Sequence, residues 1–297
     1  MSYENGNATD FLDLLDKVKA LAVTEGWTVQ RETYDALADT DGELILDGPG
    51  LGDDQNIIVA VKTYRNTDLD HFNWELKGAR DFNGEAWASL PQQSPSRWLP
   101  LWDDTITYWL IVNKQRIAMV AKVSTVYMHL YLGYIDSYAS DAEYDYPLLI
   151  GGSGTMQVER WSASAVAAYW DITAAGNELR GALWAPALAG TTSISQGNWI
   201  YLGTNPGAVK VWPWEVATSI MDDVRDSYGT YPLLPAVVHV NFNSNISGAL
   251  GELDGVRYTT GFSLGTEDII QVGAQDHLVA QDAYRNNVFN FCALELA

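Results

Sequence analysis

Cysteine is almost absent from the chain, and basic residues are scarce. The single cysteine, Cys292, excludes an intrachain disulfide and a metal site built from several thiolates. Only 17 lysines and arginines stand against 38 acidic residues, which gives a formal net charge of −21. A surface that binds nucleic acid neutralises phosphates with basic side chains. Direct nucleic-acid binding is therefore not expected, and protein or neutral glycan is the expected class of partner.

Long hydrophobic runs are also missing. No run approaches the length that crosses a membrane, and the first residues lack the basic and apolar regions of a secretion signal. We therefore expect no membrane association, and synthesis and assembly in a cytoplasm. The one thiol, Cys292, lies in a closing apolar run and is expected to be packed rather than reactive.

Aromatic residues are what the chain has in excess, with 12 tryptophans and 16 tyrosines among 297 residues. Such side chains combine a large apolar area with a polar tip, which suits both β-sheet cores and protein interfaces. The composition favours the core interpretation and leaves the interface interpretation open.

The first half of the chain predicts an α+β fold. Apolar residues recur at helical spacing over residues 11–22, Thr9 or Asp10 can cap the start of this helix, and Gly26 can end it. Alternating or apolar runs then predict consecutive antiparallel strands. These runs are residues 27–31, 43–46, 57–61, 72–76, a hairpin of 107–112 with 116–123, and 126–135.

The second half predicts mostly strands. Residues 163–169 fit either a short helix or a strand, and residues 216–224 fit a short helix. Strands are predicted at 199–202, 209–212, 236–240, 256–259, 268–272, 277–280 and 287–296. We therefore expect two domains, an α+β domain over residues 1–150 and a β-rich domain over residues 151–297, joined near the glycines of residues 151–154.

A looser segment, residues 81–104, lies between the predicted strands of the first half. It contains three prolines and the tryptophans Trp87, Trp98 and Trp102. Loops of this length in compact domains are usually functional or assembly elements. These three tryptophans are the candidate interface residues, on an arm that would reach a neighbouring subunit.

Sequence motifs for catalysis are not found. Residues 151–155 lack the last glycine of a nucleophile elbow. Residues 39–43 resemble part of a calcium loop, but the first and twelfth positions of that loop would be Leu37 and Gly48, and neither supplies a carboxylate. The acidic loop with Asp136, Asp141, Glu143 and Asp145 could hold a cation only if it folded back on itself. The four histidines, at positions 71, 129, 239 and 277, show no metal-ligand spacing. No catalytic, cofactor-binding or metal residue is predicted, and an enzyme is not expected.

The histidines divide into two groups by their surroundings. His129 and His239 lie in apolar strand runs and are expected to be packed, whereas His71 and His277 are expected to be exposed. A glycan-binding or glycan-cleaving module is the main alternative function, since paired carboxylates can meet in space. It would use the tryptophans of the second half, namely Trp161, Trp170, Trp184, Trp199, Trp212 and Trp214.

Several segments resemble a family of tailed-bacteriophage virion structural proteins. In the first half these are residues 108–113, 121–123, 131–135 and 143–152, and in the second half residues 251–256, 269–279 and 292–296. The resemblance implies a structural component of the virion, assembled in the host cytoplasm, and no residue with a role in a reaction. The helix-then-sheet opening is also similar to small α+β proteins that form rings in a phage neck or tail.

The expected function is a ring or collar subunit in the neck, tail or baseplate that joins other virion proteins. Cysteine poverty fits cytoplasmic assembly, and the aromatic excess fits large permanent interfaces. A capsid decoration protein is a further alternative that differs only in its position on the particle.

Overall fold

The computed structural model describes residues 1–52, 56–140, 143–171, 180–185, 195–203, 208–214, 233–243, 246–284 and 288–296. Over these residues the chain is dominated by β-strands, with one α-helix and three antiparallel sheets. The α+β class is confirmed in this form. The predicted helix at 216–224 lies outside the described residues.

The helix α1 spans Phe11–Thr24, as the apolar spacing predicts. Its N-cap is Asp10, whose Oδ1 accepts the backbone N–H groups of Leu12 and Asp13, both at 2.8 Å. These are two of the four donors that the first turn of a helix leaves without an intrahelical partner. At the other end Gly26 has a φ of 92°, a conformation that glycine adopts without strain.

Replacing Asp10 with alanine is expected to lower the free energy of unfolding by about 1 kcal/mol, because both N–H groups lose their acceptor. The Asp10→Asn variant keeps a side-chain oxygen at the cap and should stay within about 0.5 kcal/mol of the wild type. Urea unfolding followed by circular dichroism measures both values. Equal losses in the two variants would assign the effect to the charge rather than to the cap.

The described residues form twenty strands. Their bounds are β1 Ser2–Ala8, β2 Thr28–Glu32, β3 Glu43–Gly48, β4 Ile57–Asn66, β5 His71–Ala79, β6 Arg97–Leu101, β7 Ile106–Val112, β8 Arg116–Val123, β9 Val126–Tyr134, β10 Asp136–Ser137, β11 Leu148–Gly151, β12 Gly181–Trp184, β13 Ser195–Gln196, β14 Trp199–Tyr201, β15 Val209–Trp212, β16 Leu234–Asn243, β17 Ile246–Thr259, β18 Ile269–Val272, β19 Gln275–Gln281 and β20 Phe291–Glu295. The hairpin predicted from residues 107–123 is confirmed as β7 and β8.

Strand β1 was not predicted, and it corrects the expectation that a helix opens the fold. It pairs antiparallel with β7 over seven residues, from Ser2 opposite Val112 to Ala8 opposite Ile106. Its sequence is polar and shows no clear alternation, because β1 lies at the edge of a sheet and most of its side chains remain partly exposed. A pairing between residues about a hundred positions apart leaves no local signal.

The strands form three sheets. The eight-stranded sheet has the order β1-β7-β8-β9-β11-β12-β14-β13, and the five-stranded sheet has the order β2-β3-β4-β5-β6. The seven-stranded sheet has the order β15-β16-β17-β20-β19-β18, with β10 paired to β17. The predicted strands at 27–31, 43–46, 57–61 and 72–76 are therefore consecutive and antiparallel, as expected.

The eight-stranded sheet is the middle layer, because its two faces belong to two different cores. Leu110 and Val112 of β7 pack with α1 and the five-stranded sheet. Trp109 and Ile111 of the same strand pack with residues of the seven-stranded sheet. Successive side chains of a strand point to opposite faces, so one apolar run supplies both cores.

The predicted domain boundary after residue 150 falls inside β11. The eight-stranded sheet takes β9 from one side of that position and β12 from the other. Independent folding of the two halves stays a prediction. Residues 163–169, predicted as a helix or a strand, are instead irregular, with turns at residues 164–165 and 169.

Candidate functional site

Trp87 anchors the segment of residues 81–104, which was expected to form an arm that reaches a neighbouring subunit. It is buried on the outer face of the five-stranded sheet, in a cluster with Ile58 and Leu90. The ammonium groups of Lys77 and Lys62 lie 5.0 and 5.7 Å from the centre of its ring, within cation–π range. Trp87 is thus held by its own chain.

Trp98 and Trp102 lie elsewhere, and both are half-buried. Trp98 belongs to β6, a strand within the segment 81–104 that the sequence did not indicate, and it forms a backbone bridge with Gly154. Trp102 packs edge-on against Trp161 at 5.4 Å. The structure does not bring the three candidate tryptophans into one exposed group, and their role in an interface stays a prediction.

The tryptophans of the second half are mostly core residues. Trp170, Trp184, Trp199 and Trp214 are all buried, and Trp161 and Trp212 are half-buried. Trp184 and Trp199 do border a common surface pocket of about 380 Å³ together with Leu90, Gln92, Gln93, Gly197 and Asn198. Their ring faces are covered, however, whereas stacking on a sugar requires an exposed face.

Burial confirms the prediction for His129 and contradicts the prediction for His71 and His277. His129 is buried as expected, with Nε2 2.8 Å from the carbonyl oxygen of Gln281, and burial lowers its pKa to about 4. The prediction that His71 and His277 are exposed is wrong, since both are buried in strands β5 and β19. His277 is covered because β19 has a neighbour on each side, β18 and β20.

The residues of the other candidate motifs, namely Ser153, the turn of residues 39–43 and the acidic loop, form contacts within the fold. The buried Ser153 Oγ accepts the backbone N–H of His129 at 2.7 Å. Arg65 forms salt bridges with Asp39 at 2.7 Å and with Asp41 at 3.0 Å, which hold that turn. Asp145 of the acidic loop pairs with Arg80 at 3.0 Å, and Asp141 lies outside the described residues.

Metal-ligand clusters and membrane-spanning helices are absent from the described part of the chain. It contains no group of three or more histidine, cysteine, aspartate or glutamate side chains placed to hold a metal ion. None of its helices combines the length and the apolar character needed to span a membrane. Cys292 is buried, as expected of a packed thiol, and burial raises its pKa.

The strongest candidate for a functional surface is strand β18, which we call the β18 edge. It pairs with β19 on one side and is the last strand of its sheet among the described residues. Its other side therefore presents backbone N–H and C=O groups that no described strand pairs. Such an edge is a template for a strand from another chain.

The β18 edge is short, at four residues, but it lacks the charge or proline that the other sheet edges of four or more residues carry. Edge strands that avoid pairing carry charges or proline, or are very short. The other described edges each have one of these: Glu4 in β1, Arg31 and Glu32 in β2, Pro100 in β6, Lys210 in β15, and a length of two residues in β13. The β18 sequence, Ile-Ile-Gln-Val, has neither charge nor proline.

Two apolar side chains of the β18 edge face solvent. Ile269 is 51% exposed and Val272 is 48% exposed. Ile269 lies opposite Leu278 of β19, and Leu278 is buried in the core shared with the eight-stranded sheet. The edge thus extends past the area that the middle layer covers, which leaves Ile269 in the open.

The residue Glu267, just before β18, is hydrogen-bonded to the middle sheet. Glu267, two residues before the strand, accepts hydrogen bonds from Lys122 Nζ and from Tyr127 Oη, both at 2.6 Å. Burial alone would raise the pKa of the Glu267 carboxyl, but these two hydrogen bonds lower it. Because Lys122 and Tyr127 belong to β8 and β9, the edge is tied to the middle sheet before any partner binds.

Sequence reasoning identified β18 as a strand but not as an edge. Edge position depends on strand order, and here β20 lies between β17 and β19. The absence of charge in residues 269–272 was the available signal. Comparison with known proteins gives no further guide: no family model and no curated protein matches the chain.

Proposed function

We propose that the chain is a structural subunit of a tailed-phage particle, a member of a ring or collar in the neck or tail, and that the β18 edge contacts a second copy of the chain. The unprotected apolar edge is the observation that carries this proposal. Residues 269–279, one of the segments that resemble virion structural proteins, contain β18 and most of β19.

Charge favours contact through this strand over the rest of the surface. The net charge of −21 makes two copies repel each other, and that repulsion weakens as salt screens it. Strand β18 itself is uncharged, so a strand laid against it meets little direct repulsion. Association of the copies should therefore strengthen with ionic strength, which is opposite to the behaviour of contacts between complementary charges.

Symmetry defines the geometry of the contact. A ring requires a head-to-tail contact in which the β18 edge meets a different surface of the next copy. If the β18 edge paired with itself, the two copies would close into a two-fold dimer. The mass of the assembly in solution separates these two outcomes.

The double substitution Ile269→Lys with Val272→Lys is expected to convert the assembly into monomers. The two lysines place charged groups where a partner strand would bury them. They also replace two apolar side chains, each of which contributes about 1.5–3 kcal/mol to association when the contact buries it fully. Multi-angle light scattering after size-exclusion chromatography measures the mass. Leu37→Lys is the matched control, because Leu37 is fully exposed in a loop and should leave the assembly unchanged.

A wild-type chain that remains monomeric at high salt and high concentration would contradict the proposal, as would a double variant with the wild-type mass. The position on the particle needs a separate experiment. Mass spectrometry of purified particles should detect the chain, and electron microscopy should show it as a ring in the neck or tail. Density over the capsid surface instead would favour the decoration protein. Absence of the chain from particles would reject the neck, the tail and the capsid surface alike.

The glycan-binding alternative has less structural support. It depends on tryptophan rings that are free to stack on a sugar, and four of the six proposed rings are buried. A glycan array with the purified chain tests it directly, and binding that is lost on changing Gln92 or Asn198 at the pocket would revive it.

A further inference from the structure

A head-to-tail ring needs a second contact surface on the chain, one that differs from the β18 edge. A strand such as β18 binds where another sheet leaves backbone groups unpaired, which is at the end strands. The three sheets end in β1 and β13, in β2 and β6, and in β15 and β18. Features of the described chain close most of these edges to a further strand.

The closed edges are β2, β6, β13 and β15. Strand β2 is charged and has a bulge after Val29, which disrupts a regular edge. On the outer side of β6, the carbonyl oxygen of Trp98 accepts the N–H of Gly154 at 2.8 Å. On the outer side of β15, the carbonyl oxygen of Val209 accepts the N–H of Gly203 at 2.9 Å. Strand β13 has only two residues.

Strand β1 is the other open edge. Its seven residues, Ser2–Ala8, pair with β7 without a break in register, and they form no backbone hydrogen bond on their other side among the described residues. The strand has no proline and one charged residue, Glu4. The Glu4 carboxylate accepts a hydrogen bond from the Tyr108 hydroxyl of β7, so its charge is directed into the sheet. Among the described strands, β1 and β18 are therefore the two open edges.

The side chains of β1 suit an uncharged partner strand. Asn5 and Asn7 are exposed and carry no charge. Tyr3, on the same face, is partly buried against the core that the middle sheet shares with the seven-stranded sheet. A strand laid beside β1 thus meets polar, neutral side chains at its centre. Because β18 is also uncharged, the pairing of these two strands requires no buried charge.

The charges near the two strands are complementary. Lys114 is exposed in the turn after Val112, which pairs with Ser2 at the start of β1. Asp268 directly precedes β18, and Asp276 lies opposite a residue near its other end, both exposed. Lys114 therefore has an acidic neighbour whichever way the incoming strand runs. Pairing of β18 with itself would instead bring acidic residues of both copies together, since residues 268–276 contain no basic residue.

We propose that β18 of one copy pairs with β1 of the next copy. The seven-stranded sheet of one subunit then continues into the middle sheet of its neighbour. Because β1 and β18 are different surfaces, the contact is heterologous, and its repetition around an axis generates a ring. This inference rests on the proposed function, in which β18 contacts a second copy, and it names the surface of that copy that receives the strand.

Cross-linking between two single-cysteine variants tests the pairing. Asn5→Cys and Gln271→Cys each place an exposed thiol on one edge, while the native Cys292 is buried. The two variants are mixed at low ionic strength, brought to the salt at which the wild type assembles, and treated with a bifunctional maleimide, whose span tolerates a shift in register. The mixture should give a covalent dimer of twice the chain mass, and either variant alone should not.

The control mixture is Leu37→Cys with Gln271→Cys, since Leu37 is exposed away from both edges, and it should give no covalent dimer. A covalent dimer from Gln271→Cys alone would show that β18 pairs with itself. A wild type that assembles without any β1–β18 cross-link would reject β1 as the receiving surface and leave the β18 contact standing. A wild type that stays monomeric would reject the proposed function and this inference with it.

A second measurement does not depend on cross-linking. The double substitution Asn5→Lys with Asn7→Lys places charge on the β1 edge and should convert the assembly into monomers that keep the wild-type circular dichroism. Mixed with the Ile269→Lys, Val272→Lys variant, it should form one-to-one dimers by light scattering, because each variant keeps the edge that the other lacks. A β1 variant that retains the mass of the wild-type assembly would overturn the assignment of β1.

Discussion

Replacing Trp170 with alanine is expected to lower the free energy of unfolding by about 3–5 kcal/mol. The side chain is fully buried, stacks on Trp214 and meets the edge of the His129 ring at 5.5 Å. Its removal leaves a cavity between two sheets whose strands cannot collapse to fill it. Both the lost transfer free energy and the remaining cavity contribute to the loss.

Chemical denaturation at one fixed pH measures this effect. Tyr138→Ala is the control. Tyr138 is 54% exposed and bonds Glu252 at 2.7 Å on the surface, so its loss should cost less than about 1 kcal/mol. If both variants lost the same stability, the aromatic stack would not be a main element of the core.

Replacing Gly133 with alanine is expected to lower the free energy of unfolding by about 2–5 kcal/mol, enough to reduce soluble yield. Gly133 lies in β9, in the centre of the middle sheet, with a φ of 147° that L-residues rarely adopt. An added Cβ would lie 2.3 Å from the carbonyl oxygen of Gln115 and 2.5 Å from Cα of Arg116. Both are backbone atoms of the adjoining strand region, so no side-chain rotation relieves the contact.

Gly52→Ala is the matched control for the change at Gly133. Gly52 has no atom within 4 Å of an added Cβ, and its substitution should leave stability within about 0.5 kcal/mol of the wild type. Thermal unfolding and soluble yield compare the two variants. A Gly133→Ala chain as stable as the control would mean that β8 and β9 can move apart, against the close packing of the middle layer.

Local sequence signals predicted the elements that form locally. The spacing of apolar residues and the cap at Asp10 were enough to place α1, and two apolar runs around Asn113 were enough to place the β7–β8 hairpin. In both cases the partners that stabilise the element are a few residues apart. The predicted burial of His129 follows from the same local pattern.

Features that depend on distant pairing were not predictable in this way. Strand β1 is recognisable only once β7 lies beside it, and the exposure predicted for His277 failed because β20 covers one side of its strand. The β18 edge has the same origin, since an apolar strand is ordinary in a sheet interior and unusual only at a margin.

The middle sheet has a consequence for how the chain unfolds. Because β7, β8 and β9 supply side chains to both cores, removing either outer layer uncovers one apolar face of the same sheet. The free-energy cost of exposing that face couples the unfolding of the two outer layers, although they share no strand. Calorimetry should therefore record a single transition whose enthalpy belongs to all three layers, and damage on one side should weaken the other.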